Sequence, residues 1–416
     1  MKSKVYIIAL AACCLLIAAT AEANHYESAR SLSMGKSYTS LARNYHAIGV
    51  NPANLALSGG NNLSVELFSV GADINNNSFS LSDYNSYNGE HLSDADKDDI
   101  LSKIPDNGLE GSAETGVSAF SFSRGSIAFG VTGHADGKAN IDKQIVELIF
   151  NGNTIGDTVN ISNAYGTGTA HVDFNLSYAR KLKDFGWGPL NWGINLKYIY
   201  GIQYANVEEA DAYILTTAQG IESEGAVSVK TSEGGSGFGV DLGLSAEYGN
   251  NWVFSMALSN ILSSISWSDN NKLNTYVFTW ENLTVDNSDD DSVITSDDYE
   301  ESIGSFSESL PPQLVLGAST TYSSLLLSFD YKQGFKDQGR VSTTPEISVG
   351  CEAGFFKTFP LRAGFSLGGA EGSSAAVGFG VNLSPFFIDF AYMSTGSLAP
   401  IGGKGMGLAV SSGLHF

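Results

Sequence analysis

Apolar residues alternate with polar or small ones over long stretches of the chain. Phe238, Val240, Leu242, Leu244, Ala246 and Tyr248 are interleaved with Gly239, Asp241, Gly243, Ser245 and Glu247. Leu361, Ala363, Phe365 and Leu367 are interleaved with Arg362, Gly364, Ser366 and Gly368, and Trp192, Ile194, Leu196, Tyr198 and Tyr200 repeat the pattern. A period of two marks a strand with one apolar and one polar face. The run length, about 9–11 residues, is also that of a tilted strand crossing a bilayer. Marking every such segment predicts fourteen strands, at 62–72, 117–123, 126–134, 169–182, 190–204, 236–248, 252–262, 312–322, 325–333, 345–356, 360–369, 374–384, 386–394 and 405–416.

The connections alternate in length. Arg124-Gly125, Gly249-Asn250-Asn251, Ser323-Ser324, Lys357-Thr358-Phe359 and Pro385 are short, whereas the alternate connections, 71–116, 135–168, 205–235, 263–311, 334–344, 370–373 and 395–404, are mostly long. An even strand count, with short turns at one end and long loops at the other, describes a bacterial outer-membrane barrel. The expected fold is therefore all-β: a transmembrane antiparallel β-barrel of 14 strands with short helices in its long loops. The last strand places Leu408, Val410, Leu414 and Phe416 at alternate positions, resembling the signal by which the barrel-assembly machinery recognises its clients. Trp187, Trp192, Trp252, Phe355, Phe359, Phe386 and Phe387 fall at or beside the short turns, where an interfacial girdle is expected. Loop helices are predicted at 93–104 and 142–150; the apolar face of the second requires a cover, such as the barrel mouth or a hydrophobic ligand.

Composition locates the charge. Only 16% of residues are charged, yet 44 acidic against 22 basic side chains give −22. Such an excess excludes nucleic acid as a partner. Much of it sits in the long loops: Asp286, Asp289, Asp290, Asp291, Asp297, Asp298, Glu300 and Glu301 in one, Asp94, Asp96, Asp98 and Asp99 in another. Asp94-x-Asp96-x-Asp98 opens like a calcium loop, but Asp99 stands where Gly is needed and Pro105 where the bidentate acid belongs. Ser93 followed by Asp96 reads better as a helix cap. At the N-terminus, Lys2 and Lys4, the apolar run Val5–Ala19 and Ala21-Glu22-Ala23 predict a signal peptide over 1–23. Its removal leaves Cys351 as the one cysteine, so no intramolecular disulfide is expected.

Residues 24–61 precede the first strand and do not alternate. They contain Ser31-Leu32-Ser33-Met34-Gly35-Lys36 and then Ile48-Gly49-Val50-Asn51-Pro52-Ala53-Asn54-Leu55-Ala56. This segment resembles the N-terminus of the FadL-type outer-membrane transporters of long-chain fatty acids and other hydrophobic compounds, whose Asn-Pro-Ala motif belongs to a hatch inside a fourteen-stranded barrel. A similar N-terminus occurs in the related secretion-shuttle barrels. The resemblance implies a hatch over 24–61, with Asn51, Pro52 and Ala53 in gating, ahead of a barrel over 62–416.

The alternation places His171, Asp173, Asp241, Glu247, Glu352 and Arg362 on the lumen face, together with Glu66, Lys197, Asp330 and Asp389 and with many Gly, Ala and Ser. Small inward residues leave room for a plug or a ligand. The charges read as ion pairs locking the hatch in preference to an ion path. No G-x-S-x-G elbow, phosphate-cradling loop or Cys/His zinc spacing is present, and the six His are scattered along the chain, so no enzyme, cofactor or metal is expected. The reading is a monomer of the bacterial outer membrane, with membrane lipids and a hydrophobic small molecule as partners, acting as a passive uptake channel. The alternative is a non-transport barrel for surface binding or secretion shuttling.

Overall fold

The computed structural model describes residues 28–249, 251–287, 292–339, 341–354, 358–399 and 402–416. The expected signal peptide, the first residues of the hatch, Asp289–Asp291 and Phe355 lie outside the described residues. The strands are β1 (Leu63–Asn76), β2 (Leu109–Arg124), β3 (Ile127–Ile141), β4 (Thr158–Ile161), β5 (Tyr165–Phe185), β6 (Gly188–Thr216) and β7 (Ile221–Ser232). Next come β8 (Gly234–Tyr248), β9 (Trp252–Asp269), β10 (Lys272–Leu283), β11 (Ile294–Ser302), β12 (Phe306–Glu308) and β13 (Gln313–Tyr322). The chain closes with β14 (Leu325–Gly334), β15 (Glu346–Ala353), β16 (Leu361–Gly368), β17 (Gly372–Leu383), β18 (Phe386–Thr395) and β19 (Gly405–His415). Helices are α1 (Ala29–Ser33), α2 (Leu81–Tyr87), α3 (Asp94–Lys103) and α4 (Lys143–Asn151).

Fourteen of the strands, all but β4, β7, β10, β11 and β12, form one antiparallel circuit. It closes where β1 pairs with β19, from Ser64 opposite His415 to Asn75 opposite Gly405. Each of the fourteen predicted segments is one of these strands. Their outward positions carry exposed apolar side chains around the wall, among them Leu196, Tyr198, Phe238, Leu316, Phe329, Ile347, Phe365 and Leu408. A continuous apolar band on a closed barrel is the surface of a membrane-spanning barrel. No helix of the described residues is long and apolar enough to cross a membrane.

The long loops differ from the expectation. β6 runs for 29 residues, well past residue 204, and its upper half pairs with β7, β7 with β10, and β10 with β11. An accessory sheet therefore rises from the wall at the long-loop end. Its segments lack an apolar outer face because they stand above the bilayer, so the period-two signal is missing there. β11 pairs only with β10 among the described residues, and its Asp297, Asp298, Glu300 and Glu301 are exposed. Charge along a free edge opposes further strand pairing.

Both predicted loop helices form. Ser93 and Asp96 make a reciprocal capping box at the start of α3, as the cap reading required. α4 lays Val146 and Phe150 against Leu101 and Ile104 at the end of α3. Its Ile145 and Leu148 lie against Ile161, Ala212 and Ile214 of β4 and β6. Protein thus covers most of the apolar face for which a mouth or ligand was expected, and Ile149 is left exposed. In the girdle, Trp187 stacks on Phe185 and Trp252 on Phe254, and Trp187, Trp252 and Phe359 are exposed. Phe387 departs from that expectation: it is buried on the lumen side, stacked on His415.

α2 was not predicted. It is held by its own Ser80–Asp83 capping box and by Lys103 of α3, whose ammonium lies 2.8 Å from Asp83 and also pairs with Asp99. The Lys103 bond, reinforced by Ser80, depresses the Asp83 carboxyl to about 2. A depressed folded-state value stabilises above the ordinary carboxylate pKa of about 3.9, and that contribution is lost as pH falls toward 2. Pepsin nicking between Asp83 and Lys103 should therefore rise as pH is lowered from about 4 to 2. Lys103→Met should be nicked already at the upper end of this window.

Candidate functional site

Residues 28–58 fill the lumen. α1 is capped by the Ser28 hydroxyl, a short 3-10 turn covers Asn44–Ala47, and a second covers Pro52–Ala56. The wall admits this plug because its inward positions are small. A Cβ at Gly193 would collide with the Ala53 backbone, one at Gly243 with the Asn51 side chain, and one at Gly364 with Met34 and Gly35. Side chains here would force the plug out, so the glycines make the close backbone approach.

Asn51 is fully buried and works in two directions. Its Oδ1 accepts the Ala53 N–H at 3.0 Å and caps the Pro52–Ala56 turn, while its Nδ2 donates to Leu244 O of β8 at 3.0 Å. Pro52 opens that turn, where a missing N–H is harmless. Ala53 O accepts from Ser245 Oγ of β8 at 3.2 Å. The three motif residues therefore form one anchor against β6 and β8.

The predicted lumen charges divide into two groups. Glu352 and Arg362 belong to the plug. Arg30 of α1 binds Glu352 through two hydrogen bonds of 3.0 and 3.1 Å, Arg362 Nε donates to Glu352 at 2.7 Å, and Arg362 Nη1 donates to Asp389 at 2.6 Å. This alternating chain of two guanidiniums and two carboxylates is neutral as a whole, which is how charges are tolerated away from water. Glu247 holds the plug's far end, accepting from the Ser58 N–H at 3.1 Å and from its hydroxyl. His171, Asp173 and Asp241 instead form a cluster on β5 and β8. Asp241 pairs with Lys197 at 3.0 Å and accepts from the backbone N–H of Asn260. Asn195 links Asp241 to Asn175.

Several holding residues were not singled out from the sequence. Lys36 of the plug pairs with Glu371 at 2.7 Å. Asp330 was placed in the lumen but given no task; its Oδ2 accepts both the Tyr38 and Thr39 N–H groups at 2.9 Å. Alternation marks such positions as inward but carries no register against the plug. His134, read as isolated, faces His171 directly across β3 and β5.

One cavity beside the plug is small. It measures about 20 Å³ and lies between the plug and β1–β3, bordered by Tyr45, His46, Ile48, Glu66, Ser121 and Thr132. That is room for about one water molecule. The β9 ladder is interrupted at the wall: it pairs with β13 up to Ser259–Gln313 and resumes with β12 at Ile265–Glu308. Between these points Asn260 Nδ2 and Ser263 Oγ donate to Pro311 O and Leu310 O.

Trypsin tests this arrangement, because Arg30, Lys36 and Arg43 all lie within the plug. Asp330→Ala removes two charge-assisted hydrogen bonds, each worth roughly 1.5–3 kcal/mol, and Gly364→Val inserts a side chain into Met34. Either variant should be cut within the plug at least about tenfold faster, the factor that 1.4 kcal/mol gives. Outward-facing Ala363→Val should leave the rate unchanged.

Comparison with solved structures finds the same architecture. The chain is similar to the toluene transporter TbuX of Ralstonia pickettii, with 16% identity, a TM-score of 0.52, and 94% of this chain and 98% of that one covered. It is similar to the toluene transporter TodX of Pseudomonas putida, with 14% identity, a TM-score of 0.55, and coverage of 94% and 99%. A FadL homologue from Pseudomonas aeruginosa gives 13%, 0.53, and 95% and 100%. At these identities the likeness is one of fold, and it bears out the resemblance drawn from the N-terminal segment. No curated protein matches. A family model matches residues 52–233 and 218–394, most of the barrel together with the anchor turn of the plug. The chain thus has the FadL-type barrel fold and belongs to the family of unknown function DUF5723.

Proposed function

We propose that the protein is an outer-membrane channel for the passive uptake of hydrophobic small molecules, with residues 28–58 as its gate. The observation that carries this reading is the occupied lumen: a separate N-terminal segment lies inside the barrel, tied to the wall at Glu352, Glu371, Asp330 and Leu244. The plug is held by ion pairs and hydrogen bonds to the wall, contacts that exchange without breaking a covalent bond. A general porin would instead leave a water-filled path. Asn51, Pro52 and Ala53 hold the plug to β6 and β8 and set the position it leaves when it opens. The solved structures of similar fold include proteins described as toluene transporters. That supports a hydrophobic cargo, with long-chain fatty acids and monoaromatic compounds as the two chemistries to compare.

In this reading the short turns face the periplasm and the accessory sheet faces the exterior. Membrane lipid surrounds the apolar band, the chain acts as a monomer, and the strand ending at Phe416 is the assembly signal. Transport down a gradient involves no bond-making step, so no catalytic residue is assigned.

Deleting residues 24–57 tests the gate. The truncated barrel in a planar bilayer should conduct where the full-length protein does not. Cells carrying the gene should take up labelled fatty acid or toluene faster than cells lacking it. Unchanged conductance would refute the gate. Absent uptake, with a large secreted protein co-purifying, would favour the shuttle reading.

A further inference from the structure

His134 and His171 are opposite partners on β3 and β5, and Asp173 follows His171 by two residues, on the same face of the strand. All three are buried on the lumen side: His134 6%, His171 1% and Asp173 4% exposed. The two imidazoles stack with centroids 5.2 Å apart. Both direct Nε2 toward one carboxylate: His171 Nε2 lies 3.5 Å from Asp173 Oδ1, and His134 Nε2 lies 3.7 Å from Asp173 Oδ2. One nitrogen from each ring and one carboxylate oxygen fall within 4.8 Å of one another.

These separations are too long for N–H···O hydrogen bonds, which lie at about 2.7–3.2 Å. They are close to the edge of a coordination tetrahedron, about 3.3 Å for metal–ligand bonds near 2.0–2.1 Å. Charge supports the same conclusion. Lys197 makes its direct contacts with Asp241 at 3.0 Å and with Asn260 Oδ1 at 2.8 Å, and reaches Asp173 only at longer range. Within 4 Å, the ionic neighbours that the described residues give Asp173 are the two imidazoles. A buried carboxylate needs a positive partner. We propose that His134, His171 and Asp173 bind a divalent first-row transition-metal ion of the zinc type.

Two imidazoles and one carboxylate suit such an ion and leave a coordination position open. Thr132 Oγ1, 2.9 Å from His134 Nε2, gives up that contact when the ion binds and stands beside the open position. The ion would tie β3 to β5 beside the Asp241–Lys197 pair, and nothing in the proposal depends on what the channel carries. The acidic loops are a separate matter, because carboxylates alone prefer harder cations.

The test uses the full-length protein purified in detergent, stripped with a chelator, and titrated at neutral pH with Zn²⁺ by calorimetry and with Co²⁺ by visible absorption. One Zn²⁺ per chain is expected, and Co²⁺ should show the ligand-field bands of a nitrogen- and oxygen-ligated site. His171→Ala and Asp173→Asn should each weaken Zn²⁺ binding at least tenfold, while His91→Ala, in an exposed loop, should leave it unchanged. Trypsin resistance of the plug in each variant separates lost binding from lost folding, and Asp173→Asn, nearly isosteric, serves where His171→Ala fails that check. The proposal is overturned if the wild-type protein binds neither ion, the three groups then being a proton-sharing pair of imidazoles and a carboxylate. It is equally overturned if binding persists undiminished in folded Asp173→Asn, which would place the ion on the acidic loops.

Discussion

The pairing of β1 with β19 is the contact on which the rest of the molecule depends. A sheet left open there would present two rows of unpaired N–H and C=O groups to lipid, each group at a cost of several kcal/mol. Once the sheet is closed, every wall residue faces either lipid or lumen, and the period-two pattern becomes obligatory. Closure also creates an interior that has to be occupied by side chains, plug or water. Here the inward residues at the plug's level are mostly Gly, Ser and Ala, so the wall cannot fill the interior by itself. The plug's backbone does so, and the inward charges at Asp330, Glu352 and Glu247 become its attachment points.

That chain of consequences explains what was legible in the sequence. Lipid contact demands an apolar residue at every second position, so all fourteen barrel strands stood out. Above the bilayer the demand ends: Glu208, Glu209 and Asp211 break the pattern within β6, and β7, β10 and β11 pair through backbone ladders supplemented by polar contacts such as Ser228–Thr275 and Lys272–Glu300. α2 had no apolar stripe to announce it; its capping box and Lys103 hold it. Phe387 could have been assigned correctly from its own strand. Asp389 faces inward, so Phe387, two residues earlier, faces inward as well. Proximity to a turn misled where alternation was decisive.

The plug was legible as a segment but not as a set of contacts. Its Asn-Pro-Ala motif has a physical reason that the sequence alone does not reveal. Position 51 needs an acceptor for the Ala53 N–H and a donor for Leu244 O within the same short side chain. Asp lacks the donor and Gln reaches too far. Arg30, Lys36 and Asp330 meet partners about 290 residues or more away, and His134 meets His171 across a long connection. Alternation states which face a residue occupies, but only the register between strands states which residue stands opposite.

On the proposed reading of the plug as a gate, its attachments set the cost of opening. Arg30 with Glu352, Lys36 with Glu371, Asp330 with two backbone amides, and Asn51 with the β8 wall all connect the plug to the barrel. Moving the plug as a unit breaks them together, and each broken charged contact leaves a buried partner that water must reach. On the proposed reading, this shared cost favours the arrangement with the plug in place. A solute shifts that balance only to the extent that it binds the open arrangement more tightly than the closed one. An apolar solute gains little from the polar wall that a displaced plug would expose. On that reading its differential affinity comes from apolar side chains, and a buried apolar cluster of Ile199, Tyr204, Ile265, Trp267 and Leu310 lies at the long-loop end of the wall. That cluster borders the interruption of the β9 ladder, so an apolar part of the lumen adjoins a stretch of wall held by the side chains of Asn260 and Ser263.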